Sequence, residues 1–220
     1  MKSTIKKIVA TFSVLSCGLL ASCVSTQDAP LANGKILQQK QTVTAKRETP
    51  SFAAMTPGKA SFGMIGAAAM LSSGNGIVRD NNVEDPANWI SKELAAGIQK
   101  KYGTRLAGTR DVTDESPAAI AKACSDADYV LDVRTINWSF VYFPVNWGTY
   151  RVIYSAKLRL IDCKTGKVIA EGFHARIPEK SPQSPSYDDL VNRQASGLKR
   201  ELQIGAAECL NYFKYNILKL

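Results

Sequence analysis

Tyr150-Arg151-Val152-Ile153-Tyr154-Ser155-Ala156-Lys157-Leu158-Arg159-Leu160 decides the fold class. Tyr150, Val152, Tyr154, Ala156, Leu158 and Leu160 recur at every second position, and mostly polar residues (Arg151, Ser155, Lys157, Arg159) stand between them. That two-residue period marks a strand with one buried face. Upstream, Tyr129 to Tyr142 is also β-rich, with Leu131 and Val133 at odd positions and Trp138, Phe140 and Tyr142 at even ones. A change of inward parity within one strand predicts a bulge or a strong twist between the two sets. Phe143-Pro144-Val145-Asn146-Trp147-Gly148 reads as a turn, and Asp162-Cys163-Lys164-Thr165-Gly166-Lys167 turns the chain into a third strand from Val168 to about Arg176. Three successive strands joined by short turns make an antiparallel meander.

Helices flank it. Thr56-Pro57 and Asp85-Pro86 each place a capping residue before a proline at the first helical position. The first opens a helix over 59–71, rich in Ala, Gly and Met and ended by Ser72 to Gly76; Gly63, Gly66, Ala67, Ala68 and Ala69 suit it to close packing on a core or partner. The second carries Ile90, Leu94 and Ile98 at intervals of four and stops at Gly103. A short extended piece over 104–109 follows, then Ser116-Pro117 opens a third helix with Ile120 and Cys124 on one face. After a proline-rich loop, Val191, Ala195, Leu198, Leu202, Ala206, Cys209, Phe213 and Ile217 form a single apolar seam. It predicts one helix from about Tyr187 to Leu218, roughly 45 Å long at 1.5 Å per residue and so with a projecting tail. The fold class is α+β: an antiparallel meander sheet covered on one face by helices, with a long C-terminal helix.

The N-terminus has a basic start (Lys2, Lys6, Lys7), an apolar run from Ile8 to Leu20 and the sequence Leu20-Ala21-Ser22-Cys23. A run of about 13 is short of the roughly 20 apolar residues a span needs. Here the chain resembles a bacterial lipoprotein precursor with its lipobox. The resemblance implies that the Cys23 thiol takes a diacylglyceryl group, that cleavage falls before Cys23 and that the new amine is acylated. It also implies, through Val24 where an aspartate would signal inner-membrane retention, an outer-membrane anchor facing the periplasm. A second, weaker box, Val14-Leu15-Ser16-Cys17, would leave an apolar run of only about eight residues, near the short end for a signal. The domain reading is a signal peptide over 1–22, a flexible tether over 23–50 with an edge strand near its end (Thr42 to Ala45), and a single α+β globular domain over 51–220.

Twenty-eight Lys+Arg against 19 Asp+Glu give a net charge of +9 with one histidine. Removal of residues 1–22 takes three lysines with it and leaves 25 against 19, or +6. In an envelope that charge meets lipid headgroups, lipopolysaccharide phosphates or wall polymers, so nucleic acid is not the expected partner.

Over residues 85–176 the element order and the Asp162-x-x-Thr165-Gly166 hairpin turn resemble the anticodon-binding-like fold of small periplasmic modules, such as the TolB N-terminal domain and the lipoproteins that activate peptidoglycan synthases. The likeness is one of fold. The most unusual feature is aromatic: Trp138, Phe140, Tyr142, Phe143, Trp147, Tyr150 and Tyr154 lie within 17 residues. The strand aromatics either pair across the sheet or form an interface, whereas Phe143 and Trp147 at the turn suit an exposed docking role. Phe143, Trp147 and Trp138 are therefore the binding candidates.

Catalytic patterns are incomplete. Ser196-Gly197-Leu198-Lys199 and Lys164-Thr165-Gly166 resemble two boxes of penicillin-binding enzymes, but their order is reversed and no Ser-x-Asn box accompanies them. His174 has no Cys or carboxylate at ligand spacing. No catalytic residue, metal or cofactor is assigned. Of the cysteines, Cys124, Cys163 and Cys209 remain after processing; they allow one bridge, with Cys124–Cys209 favoured, or buried free thiols. The expected function is that of a non-catalytic, lipid-anchored periplasmic binding or assembly-accessory lipoprotein. Its expected partners are the membrane through Cys23 and an envelope protein or anionic envelope polymer. The alternatives are a structural lipoprotein joining the outer membrane to anionic wall or lipopolysaccharide through its basic tether, and an envelope hydrolase.

Overall fold

In the computed structural model, which describes residues 27–220, six strands form one mixed sheet: β1 (Gln41–Lys46), β2 (Ala53–Met55), β3 (Arg105–Asp111), β4 (Tyr129–Phe143), β5 (Asn146–Asp162) and β6 (Val168–Arg176). The signal segment and Cys23 lie outside the described residues. The order across the sheet is β3-β1-β4-β5-β6, with β2 also paired to β4. Strands β4, β5 and β6 are the expected antiparallel meander. The expected parity change is a bulge: the β4–β5 register shifts between Thr135 and Asn137. It brings Leu131 and Val133 before the shift, and Trp138 and Phe140 after it, into one core.

The sheet is not wholly antiparallel. β1 pairs parallel with both β3 and β4, and β2 pairs parallel with β4 through Ala53↔Ser139 and Met55↔Val141. The segment expected as an edge strand therefore lies inside the sheet, with Thr42 and Val43 fully buried on opposite faces. The preceding residues are docked too, unlike a flexible tether. Ala29 and Glu171 exchange backbone hydrogen bonds of 2.8 Å, and Leu31 and Leu37 are buried.

Helices α1 (Pro57–Ala60), α2 (Gly63–Asp80), α3 (Pro86–Tyr102), α4 (Pro117–Ala123) and α5 (Tyr187–Tyr212) complete the fold. α3 and α5 cover one sheet face and build the main core with Trp138, Tyr154 and Leu158. α4 lies on the other face, where Ile120 and Cys124 meet Val43, Val130 and Ile161 in a second core. Helices thus cover one face and a corner of the other, because β5 turns Ile161, next to the inward Leu160, to the opposite side. The caps of α3 form as expected: Asp85 accepts from the Ala87 N–H at 2.9 Å, and Gly103 is left-handed at φ 67°. Thr56 makes no side-chain cap, and the helix expected from Thr56-Pro57 is split at Ser61 and Phe62 into α1 and α2.

Two helices differ from expectation. α2 runs on to Asp80 instead of ending at Ser72 to Gly76, because Gly74 is a contact residue: a Cβ there would lie 2.1 Å from the Phe52 carbonyl oxygen. α5 is broken. Asn192 is extended, and Arg193, Gln194 and Ala195 are left-handed at φ 52°, 58° and 53°, each costing roughly 1–2 kcal/mol for a residue with a Cβ. The break lets Leu190 and Leu198 both reach the core, and Leu190 takes the buried position expected of Val191. Beyond α5 a π turn over Phe213–Ile217 folds the end back, so the tail does not project. Ile217 and Leu218 are fully buried, and the Tyr102 hydroxyl donates to the Leu218 carbonyl at 2.8 Å.

Candidate functional site

The long β4–β5 hairpin carries all three binding candidates but presents one. Trp138 faces the core, edge-on to Phe52 at 5.2 Å between centroids, and its indole N–H donates to the Pro50 carbonyl at 3.0 Å. Phe140 meets Tyr150 at 5.6 Å, so the strand aromatics do pair across the sheet. Phe143, expected at the exposed tip, is buried with the Arg151 guanidinium 5.5 Å from its ring centroid. The turn itself is Pro144-Val145, and Val145 and Trp147 are 83% and 68% exposed. Trp147 is held in place by its indole N–H, which donates to the Pro144 carbonyl at 3.0 Å.

Behind the hairpin, on the face opposite α3 and α5, strand pairing brings charges together that the sequence reading left on a solvated side. Asp132 sits directly across from Arg159, and Arg159 from Glu171. Asp132 is fully buried and accepts from Arg47 Nε at 2.6 Å and from Arg159 Nη2 at 2.6 Å and Nε at 3.0 Å. Glu115 pairs with Arg47 and with Arg134, and Lys157 pairs with Glu171. Burial, with Arg159 and Arg47 close by, pulls the Arg134 guanidinium down to about 10. Towards the turn this face becomes small and apolar: Ser139 and Ser155 are buried, while Val141, Ile153, Phe173 and Ala175 are only half-buried. The signal for the network was Asp132 itself, a carboxylate inside the apolar run Tyr129 to Val133.

A cleft of about 210 Å³ opens at the edge of β4 between the end of β1 and the start of β2, lined by Arg47, Pro50, Asp85, Arg134 and Thr135 among others. There the Thr135 hydroxyl donates to the Asp85 carboxylate, so the Tyr154 hydroxyl, 3.1 Å away, donates to Thr135. Burial raises the Asp85 pKa above its ordinary 3.8, against the hydrogen bonds from Thr135 and Ala87 that lower it. Burial also pushes the Tyr154 phenol up. Between the unfolded Asp85 pKa and its raised folded value the folded chain holds the extra proton, so stability falls as pH climbs through that window. Asp85→Asn keeps a capping oxygen without the charge. We expect the variant to be at least as stable as the parent at neutral pH, with the difference closing as pH falls to 3.8. Urea midpoints across that range check it; a loss at neutral pH would mean that the hydrogen bonds outweigh burial.

The serine-lysine pattern is not assembled. Ser196 lines a polar cleft with Pro182 and Arg200, Lys199 lines another with Asp85 and Trp89, and Lys164 lies in the β5–β6 turn facing Asp128. His174 stacks on Tyr212 with centroids 4.6 Å apart. Among the described residues no group of three or more His, Cys, Asp or Glu could hold a metal ion. Cys124 and Cys163 share the second core while Cys209 lies in the main one, so the favoured Cys124–Cys209 bridge is not formed. Burial pushes the Cys163 and Cys209 thiols up to about 12.

No protein-family model and no curated protein matches the sequence. Among solved structures the chain is similar to the PelC dodecamer from Paraburkholderia phytofirmans, at 17% identity over 84% of this chain and 91% of that one with a TM-score of 0.34. It is similar to lipoprotein GNA1162 from Neisseria meningitidis at 15% identity, over 80% of this chain and 99% of that one, with a TM-score of 0.30. It is also similar to the LpoB C-terminal domain from Salmonella enterica at 13% identity, over 64% of this chain and 84% of that one, with a TM-score of 0.26.

Proposed function

We propose that the chain is a non-catalytic accessory lipoprotein of the bacterial envelope, acylated at Cys23 in the outer membrane and facing the periplasm, whose open sheet face binds an envelope protein. The observation that carries the reading is the half-exposed row of Val141, Ile153, Phe173 and Ala175 beside the buried charge network. Apolar side chains on a rigid sheet, rimmed by ordered charges, form a recognition surface of ordinary anatomy. The lipobox Leu20-Ala21-Ser22-Cys23 supports the anchor, and the bridge at Ala29, six residues on, supports a domain held close to it.

A photoreactive phenylalanine analogue in place of Phe173, activated in intact cells, is expected to give one discrete protein adduct. The same group at exposed Glu93 on α3 is expected to give none. Equal, diffuse labelling from both positions would count against the reading.

A further inference from the structure

Among the described residues, two long stretches carry no charge: Ala60 to Val78 and Thr135 to Tyr150. In a protein with 21% charged residues, they account for its most exposed large apolar side chains. Phe62, Met64 and Ile65 at the start of α2 are 68%, 90% and 79% exposed, and Val145 and Trp147 crown the hairpin. Scattered exposed apolar residues are ordinary; clusters of this kind mark contact surfaces.

The strand registers put both clusters at one end of the molecule. β4 runs towards its turn, and β2 lies parallel to it at the level of Ser139 to Val141. In the C-terminal half of α2, Asn75 accepts from the Phe52 N–H at 2.8 Å, next to that level, and just beyond the C-terminal end of α2 Asp85 meets Thr135, further back along β4. α2 therefore runs against β4, and its first half points past Val141 towards the turn. From Gly74 back to Gly63 is about 16 Å at 1.5 Å per residue, and from Ser139 to Pro144 is about 17 Å at 3.3 Å per residue. The N-terminal segment heads the same way. It pairs antiparallel with β6 at Ala29, and the Asp28 carboxylate accepts from the Phe173 N–H, so the chain from Ala29 back to Gln27 points towards the Arg176 end of β6, which pairs with Tyr154.

We propose that this end of the molecule, formed by the first half of α2 and the Pro144-Val145 turn with Trp147, lies in the headgroup layer of the bilayer that holds the acyl anchor. The proposal rests on acylation of Cys23. Three residues separate Cys23 from Gln27, four steps along the chain with a reach of about 14 Å at full extension, so an anchored domain has no long tether and presses against the lipid. The two uncharged clusters suit the boundary between headgroups and acyl chains, where tryptophan concentrates. The charges nearby, Arg151 over Phe143 and Glu179 and Lys180 in the loop that pairs at Thr149, suit the headgroups. The Trp147 indole N–H is already satisfied by the Pro144 carbonyl, so its ring enters lipid without an orphaned donor. No helix among the described residues is long and apolar enough to cross a membrane; the proposal has α2 lie on the bilayer surface.

The test uses the full acylated protein in vesicles of three parts phosphatidylethanolamine to one part phosphatidylglycerol, with and without acyl-brominated lipid. Trp147 emission, isolated as the difference from Trp147→Phe, is expected to fall by roughly half in brominated vesicles, as for other interfacial rings. The double change Phe62→Ser and Ile65→Ser is expected to weaken that quenching while leaving the thermal midpoint in place. Flotation with the vesicles while Trp147 stays unquenched and open to iodide would overturn the proposal and leave the anchor standing. Shielding of Trp147 from iodide in lipid-free solution, rising with protein concentration, would also overturn it and assign the surface to a second copy. Intact mass reports acylation separately: quenching in a chain bare at Cys23 would remove the anchor reading and uphold the lipid-facing end.

Discussion

Asp132→Ala is expected to lower folding stability by about 3–5 kcal/mol, read as a shift of the urea midpoint at unchanged slope. Asp132 is fully buried, and its partners Arg47 and Arg159 have side chains only 12% and 6% exposed. Forming such a network is nearly neutral, since the desolvation of three ions offsets most of their attraction. Removing its centre is not neutral, because two guanidinium groups then remain buried without their shared carboxylate, Arg47 keeping only the exposed Glu115 at 3.7 Å. Two controls follow. Arg159→Met in the Asp132→Ala background is expected to cost far less than Arg159→Met alone, because the coupled groups no longer face each other. A fully apolar replacement of Arg47, Asp132 and Arg159 is expected to recover most of the loss. A cost below about 0.5 kcal/mol for Asp132→Ala would mean that water reaches the network and screens it.

Trp138→Ala and Trp147→Ala should separate two tryptophans that the sequence places in one aromatic cluster. Trp138→Ala is expected to cost about 3–5 kcal/mol, since it empties a core site filled by the largest side chain. It also orphans the Pro50 carbonyl, which fixes the crossing from β1 to β2. Trp138→Phe keeps most of the ring and is expected to lose about 1–2 kcal/mol, the hydrogen bond and part of the volume. Trp147→Ala is expected to stay within about 0.5 kcal/mol of the parent, as exposed positions do. Thermal or urea unfolding of the three variants checks this; a large loss at Trp147 would show that the turn is part of the core.

Local signals in the sequence were sufficient for the meander, the β4 bulge and the capped starts of α3 and α4, because each depends on neighbours within a few residues. What depends on distant partners was not visible. Thr42 to Ala45 looks the same at the edge or in the centre of a sheet; the difference lies in Tyr129 to Asp132 and Arg105 to Asp111, which pair with it from far along the chain. The α5 break left no trace, since Val191, Ala195 and Leu198 keep helical spacing across it and neither Gly nor Pro stands at 192–195. Gly74 looked like a helix terminator because a glycine's contact partner cannot be read from sequence. Phe143 and Trp147 were alike until the strand register turned one under Arg151 and left the other exposed. Asp132 and Arg159 became a pair only through that same register.

The position of β1 governs the order in which the fold can be completed. Thr42 pairs with Tyr129 and also with Leu106, so the middle of the sheet has to wait for chain made long after it. Sequence separations of this size slow folding. The β4–β5–β6 hairpins, whose partners are near neighbours, can form first, leaving an open edge on β4 that the N-terminal segment later fills. Under the proposed anchoring at Cys23, the end nearest the membrane enters the sheet last. Trimming it back to Lys46 would take out a central strand and leave β3 without a partner.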